Sequence, residues 1–135
     1  MEYSIREVAK IIGSKSNLLH EDTITMLLTD SRTVSFPEQS LFFALRTKTN
    51  DGHKYIPELY KLRVRNFVVS EMPPSTDMYA DANFLLVKDP LRALQQLAAH
   101  HRKKFEIPVI GITGSNGKTI VKEWIHELLS PDMAT

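Results

Sequence analysis

The chain has 135 residues, 42% hydrophobic and 24% charged, with Lys+Arg 17 against Asp+Glu 16 and a formal net charge of +1. That profile belongs to one ordinary globular domain, or one small domain plus part of another, and it excludes a disordered chain and a bulk electrostatic grip on nucleic acid or an anionic membrane. Cysteine is absent, which excludes disulfide frameworks, thiolate metal sites and cysteine nucleophiles and fits a cytoplasmic protein.

The N-terminus, Met1-Glu2-Tyr3-Ser4-Ile5-Arg6-Glu7, carries acids and lacks the apolar core of a signal peptide. No run reaches the roughly 18–20 apolar residues that span a bilayer, so membrane insertion is not expected. Ser4 and Glu7 have capping-box spacing, Ile5, Val8, Ala9 and Ile12 share one helical face, and Gly13 is a C-terminal stop. A packing helix is predicted there. Ile24–Thr29 reads as a strand ending at Asp30-Ser31-Arg32-Thr33, Phe36–Ser40 as a turn, and Leu41–Leu45 as a buried strand. Asn50-Asp51-Gly52 marks a loop before a helix over about 54–62, with Ile56, Leu59, Tyr60 and Leu62 inward. Phe67–Val69 and Phe84–Val87 are two more strands, separated by a loop at Pro73–Asp77.

Asp89-Pro90 starts a helix, Asp as cap and Pro at the first helical position, with Leu91, Leu94, Leu97 and Ala98 on its apolar face through about Lys104. Ile107–Ile112 reads as a strand. Val121, Trp124, Ile125 and Leu128 mark one face of a last helix that stops before Pro131. Strands and helices alternate, so the fold class is α/β. A boundary is expected near 89–106. Residues 1–88 form a small α/β unit, 89–106 a connecting helix and linker, and 107–135 one strand, one loop and one helix.

Gly111-Ile112-Thr113-Gly114-Ser115-Asn116-Gly117-Lys118-Thr119 lies between that last strand and helix, where a phosphate-binding loop belongs. Glycines let backbone N–H groups turn toward an anion, and a helix N-terminus adds partial positive charge. Lys118 would reach the outer phosphates of ATP and the Thr119 hydroxyl would ligate Mg²⁺. The spacing is G-x-x-G-x-x-G-K-T, since Ile112 stands where G-x-x-x-x-G-K-[ST] requires its first glycine. The plain alternative is an ordinary glycine-containing strand-to-helix turn. Three glycines followed by Lys-Thr favour the nucleotide.

T-G-S-N-G-K-T after an apolar strand resembles the ATP loop of the Mur ligase family, which adds amino acids to the UDP-muramoyl peptide of bacterial cell wall. The continuation Thr119-Ile120-Val121-Lys122-Glu123 looks most like the MurF-like branch, which adds D-alanyl-D-alanine. Asp30-Ser31-Arg32, Phe36-Pro37, Leu41–Leu45 and Asp51-Gly52-His53 are similar to the family's UDP-sugar-binding first domain. The resemblance covers about residues 24–129, and its wording is also similar to fusions of such a ligase with an alanine racemase. It implies an N-terminal fragment of a three-domain cytoplasmic bacterial enzyme: residues 1–88 as the UDP-sugar-binding domain and 107–135 as the truncated start of the ATP-binding domain. In such enzymes ATP phosphorylates the carboxylate of the UDP-MurNAc-tripeptide, and the amino group of D-Ala-D-Ala attacks the acyl phosphate.

Carried over residue by residue, the resemblance implies UDP contacts at Ser31 and Arg32 and in the next loop at Lys48, Thr49 and Asn50. It implies ATP phosphate contacts at Gly114, Ser115, Asn116, Gly117, Lys118 and Thr119, with Mg²⁺ held through Thr119. Arg32 suits a phosphate or a uracil carbonyl, and Ser31 is a small hydroxyl donor. The plain reading of Asp30-Ser31-Arg32 is a polar strand end with a local turn bond. The family's second metal site and amine-binding domain would lie beyond Thr135, so no catalytic set is complete and the isolated fragment is expected to be inactive. His20, His53, His100, His101 and His126 show no metal spacing. His100 and His101 point about 100° apart on a helix and read as a solvated basic end, and His53 reads as structural.

The apolar face of the last helix needs a sheet to cover it, and the strand before it presents an edge. The tail is therefore expected to pack back, to pair with another chain or to be mobile, and self-association stays open. The competing readings are a stand-alone uridine-nucleotide-binding module without ATP chemistry and a generic phosphate-loop ATPase or kinase. Ligases that extend folate polyglutamate share a similar loop, but Asp30-Ser31-Arg32 weighs against them.

Overall fold

A computed structural model describes residues 2–131. The chain divides into two compact units, one running to Lys104 and the other starting at Phe105.

The first unit is built on a four-stranded parallel sheet of β3 (Met26–Leu28), β4 (Ser40–Phe43), β5 (Asn66–Val69) and β6 (Asn83–Leu86), in that spatial order. A short antiparallel pair, β1 (Tyr3–Ser4) with β2 (Thr23–Ile24), stands beside it. The expected strand over Ile24–Thr29 is thus two strands in two sheets. The chain changes sheet at Thr25, whose N–H is taken by the Gln39 carbonyl at 3.0 Å. The N-terminal pair was not legible because its partner lies some twenty residues away.

Alternation along the strands sorts the core onto both faces, as a parallel sheet covered by helices requires. Leu41, Phe43, Val68 and Leu85 meet α1 (Ile5–Ile12) and α3 (Pro90–Arg102). Phe42, Phe67, Val69 and Phe84 meet α2 (Ile56–Lys61) on the other face, with the Phe67 and Phe84 rings stacked at 5.3 Å. The capping box of α1 forms as predicted, and Gly13 closes the helix at φ 71, a left-handed backbone that glycine adopts without strain. The Asp89 carboxylate accepts from the N–H groups of Leu91 and Arg92 and caps α3.

The expected inward faces need correction at the helix ends. Leu62 is exposed, because it follows α2 where Arg63 turns the chain at φ 71. Leu91 and Ala98 are exposed and Ala93 is buried instead, because α1 and the sheet cover a narrow stripe of α3. With Ala93 and Leu97 in the core, the helix expected to connect two domains is packed into the first unit, and the break falls after Lys104. The basic end of this helix is solvated as expected, with His100, Arg102 and Lys103 exposed, while His101 is half-buried and its Nδ1 meets the Tyr3 hydroxyl at 3.1 Å.

In the second unit, α4 (Lys118–Leu129) forms, but the predicted strand over 107–112 does not. A strand is held by a hydrogen-bonded neighbour, and among the described residues no strand pairs with this segment. Ile107, Val109 and Ile110 are exposed, as are Val121, Trp124 and Leu128 on α4. Among the described residues, no helix is long and apolar enough to cross a membrane.

Candidate functional site

All four strands of the parallel sheet point the same way, so the loops leaving their C-terminal ends gather on one edge. That edge is where open α/β sheets bind ligands. Asp30–Thr33 leaves β3, Ala44–Gly52 leaves β4, Ser70–Glu71 leaves β5 and Val87–Asp89 leaves β6. The two candidate segments for the uridine nucleotide, Ser31-Arg32 and Lys48-Thr49-Asn50, therefore stand on adjacent loops. Tyr55 steadies the second of them: its hydroxyl donates to Asn50 Oδ1 at 3.2 Å.

Asp30 organises the first loop. Its carboxylate accepts from the Arg32 N–H at 3.0 Å, capping a single 3-10 turn over Ser31–Thr33, and from Arg32 Nε at 2.9 Å and Nη2 at 2.5 Å. These side-chain and backbone bonds from Arg32 hold the Asp30 carboxyl down at about 2. Arg32 is exposed but paired, so an anion reaching it competes with Asp30. The plain turn reading and the binding reading describe the same residues: the turn is made, and it presents the Arg32 side chain to solvent.

The second loop is held at its neck. The Gly52 N–H donates to the Leu45 carbonyl at 2.8 Å, and a Cβ on Gly52 would lie 2.8 Å from the Leu45 nitrogen, so only glycine fits. The Thr47 N–H donates to the Asn50 carbonyl at 2.8 Å, and Thr47 Oγ1 accepts from the Asn50 N–H at 3.0 Å. Lys48 and Thr49 project at the tip.

Behind the neck lies a polar ring that sequence reasoning missed. Arg46 donates to Asp51 Oδ2 at 2.8 Å and to Glu71 Oε1 at 2.5 Å. Asp51 Oδ1 faces His53 Nδ1 at 2.6 Å, and His53 Nε2 accepts from the Ser70 N–H at 3.1 Å. Because Nε2 accepts, the ring proton sits on Nδ1 and points at Asp51. Burial of Asp51 favours its neutral form, but the His53 and Arg46 hydrogen bonds outweigh this and hold its carboxyl at about 2.

Asp51, His53 and Glu71 place ligand atoms within 4.8 Å of one another, yet the Arg46 guanidinium bonds both carboxylates and supplies the positive charge a metal would bring. Ser70 Oγ is 3.3 Å from His53 Nε2, but the Ser70 backbone N–H already holds that nitrogen, so the set does not make a general base for a serine nucleophile. Of this ring the sequence singled out Asp51 and His53, in the Asp51-Gly52-His53 segment, and His53 is structural as read. Beside it an open cavity of about 850 Å³ is lined by Arg46, Ser70, Glu71, Lys88 and Arg92, and the candidate residues Ser31, Arg32, Lys48, Thr49 and Asn50 are not among its walls.

In the second unit, Gly114 has φ 154 and Gly117 has φ 78, and α4 starts directly after Gly117. A Cβ on Gly117 would meet nothing within 4 Å, so its backbone angle and not crowding asks for glycine. No side chain caps α4, unlike α1 and α3. The Lys118 ammonium folds back onto the Gly114 carbonyl, arching over Ser115 and Asn116, and Thr119 is exposed on the first turn. A left-handed glycine, an uncapped helix start and a lysine over the loop fit the triphosphate of ATP, with the Thr119 hydroxyl available to Mg²⁺.

Comparison with known proteins bears on both units. The chain is 41% identical over 117 residues to the UDP-N-acetylmuramoyl-tripeptide–D-alanyl-D-alanine ligase of Synechocystis, covering 87% of this chain and 25% of that one. It is 31% identical over 128 residues to the enzyme of the same name from Bacillus subtilis, covering 93% of this chain and 27% of that one. The chain thus spans about a quarter of the length of these curated relatives. A solved structure of the UDP-N-acetylmuramoylalanyl-D-glutamyl-2,6-diaminopimelate–D-alanyl-D-alanyl ligase from Acinetobacter baumannii superposes with a TM-score of 0.79 at 26% identity, covering 98% of this chain and 29% of that one. The family profile described as "Mur ligase family, catalytic domain" matches residues 23–102, which takes in the whole parallel sheet and its C-terminal loops. With more than half of its length matched, the chain belongs to the Mur ligase family.

Proposed function

We propose that this chain is the UDP-sugar-binding domain and the phosphate loop of an ATP-dependent ligase of bacterial peptidoglycan synthesis, working in the cytoplasm. The full enzyme would join D-Ala-D-Ala to a UDP-MurNAc-tripeptide. The observation that carries this reading is the placement of the two motif sets: Ser31-Arg32 and Lys48–Asn50 on adjacent loops at the C-terminal edge of the sheet, and Gly114–Thr119 at an uncapped helix start.

In this reading ATP supplies the phosphoryl group that activates a carboxylate. The chain's own part is positioning and charge neutralisation. Lys118, now on the Gly114 carbonyl, would hold the phosphates together with the glycine N–H groups, and the Thr119 hydroxyl would hold Mg²⁺. At the sheet edge Arg32 exchanges one carboxylate contact for the nucleotide, and Ser31 adds a hydroxyl donor.

Calorimetry on the chain tests this. UDP binding is expected to survive Lys118→Ala and to weaken in Ser31→Ala and Arg32→Ala, and ATP binding is expected to be lost in Lys118→Ala. UDP affinity unchanged in both sheet-edge variants would remove the site assignment. Ligation by these 135 residues alone would contradict the expected inactivity of the fragment. A second reading, a uridine-nucleotide-binding module without ATP chemistry, is favoured by the contrast between the buried core of the first unit and the exposed apolar residues of the second. It predicts no ATP binding at all.

A further inference from the structure

The loop offered to the nucleotide leaves β4, but much of what holds it comes from Ser70 and Glu71, just after β5. The sequence Arg46-Thr47-Lys48-Thr49-Asn50-Asp51 forms a narrow turn whose two ends meet in a backbone bridge between Arg46 and Asp51. Their side chains close the same neck a second time, with Arg46 Nη2 2.7 Å from Asp51 Oδ2. From this neck two arms reach the segment that leaves β5. One runs from Arg46 to Glu71, and the other from Asp51 through His53 to the Ser70 N–H. The turn is thereby tied to two strands of the sheet. Three acceptor atoms, Asp51 Oδ1, Asp51 Oδ2 and Glu71 Oε1, each face a cationic or ring N–H donor, and the His53 imidazole uses both nitrogens. Lys48 and Thr49 at the tip take no part.

We propose that Arg46, acting with Asp51, His53 and Glu71, is a positioning residue that holds the Thr47–Asn50 turn in its ligand-ready shape. The proposal rests on the reading of Lys48–Asn50 as a uridine-nucleotide contact. Arg46 touches no nucleotide in this scheme. It sets where the Thr49 and Asn50 backbone and the Lys48 side chain stand, so that the nucleotide does not have to order the turn as it binds. Exposed ion pairs are weak singly, but one guanidinium serving two carboxylates at the root of a six-residue turn acts on the whole turn.

The test uses the full chain and UDP as probe, with two readouts on each variant: UDP affinity by calorimetry, and amide exchange at Thr47, Asn50 and Gly52 with Ala93 as a distant control. In Arg46→Met, exchange at the three loop amides is expected to rise and UDP to bind less tightly, each by about fivefold, a modest effect in keeping with solvent-screened pairs. Ala93 exchange should be unchanged. Arg46→Lys, which keeps the charge but cannot serve both carboxylates through one fork, is expected to fall between. Glu71→Gln, far from the turn's tip, should loosen the turn in the same direction. Unchanged loop exchange in Arg46→Met overturns the proposal, as does a faster loop with UDP affinity equal to the unaltered chain. No UDP binding by the unaltered chain overturns the nucleotide reading on which the proposal depends, a different failure from either of those.

Discussion

Two apolar runs of nearly the same character have opposite fates in this protein. Phe67-Val68-Val69 is fully buried in the middle of the sheet, whereas Ile107, Val109 and Ile110 are exposed and form no strand. The helices repeat the contrast. Leu97 on α3 is 0% exposed, and Leu128 on α4 is 75% exposed. An apolar period states that a face wants covering, but a neighbour decides whether it becomes an element of the core. In the first unit β4 and β6 flank β5, and α1 covers α3. In the second, no strand pairs with the predicted one among the described residues.

The comparison breaks most sharply on a matched pair of substitutions. Leu97→Ala is expected to lower the stability of the first unit by about 2–5 kcal/mol, the range for a buried leucine, while Leu128→Ala changes it by no more than about 0.5 kcal/mol. Urea melts followed by the ellipticity of both variants decide it, and equal losses would erase the distinction between the units. Asn83→Ala comes next. Asn83 is fully buried, accepts from the Leu19 N–H at 2.8 Å and donates to Asn66 Oδ1 at 2.9 Å and to the His20 carbonyl at 3.1 Å, so truncation removes all three contacts and should cost about 1–3 kcal/mol.

Ser4→Ala removes the capping box of α1 and should cost about 1 kcal/mol, seen as a lower urea midpoint at constant slope. The smallest effect is acid-dependent and local. Asp30 and Asp51 are held at about 2, below an ordinary aspartate at 3.8, so their contacts stabilise fully above about pH 4 and are lost as the pH falls toward 2. Chemical shifts of Arg32 and His53 amides should follow that loss, and Asp51→Asn should abolish it at His53 alone. A transition near neutrality at the Arg32 amide would contradict the assignment.

How much was legible depended on how local the signal was. The capping box at Ser4–Glu7, the stop at Gly13 and the Asp89-Pro90 start each involve residues within a turn of one another, and each formed as read. Ser31, Arg32 and the Gly114–Thr119 loop could be named as candidates from sequence because their motifs are contiguous. The ring of Arg46, Asp51, His53, Ser70 and Glu71 could not, because its ends are 25 positions apart and meet only when β4 and β5 pair. Asn66 and Asn83 stand just before the predicted strands and drew no reading of their own, and only their register pairing shows them as a buried pair that ties the Leu19–Asp22 segment to the sheet.

The sequence alone determined the α/β class and the helix caps at Ser4, Gly13 and Asp89, since each follows from spacing along a few neighbouring residues. Tertiary structure decided the rest: which apolar segment became a strand, that β2 and β3 serve different sheets, and how the Thr47–Asn50 turn is held. Those outcomes depend on hydrogen bonds and burial between segments far apart in the chain, and spacing along the sequence carries no information about which distant partner arrives.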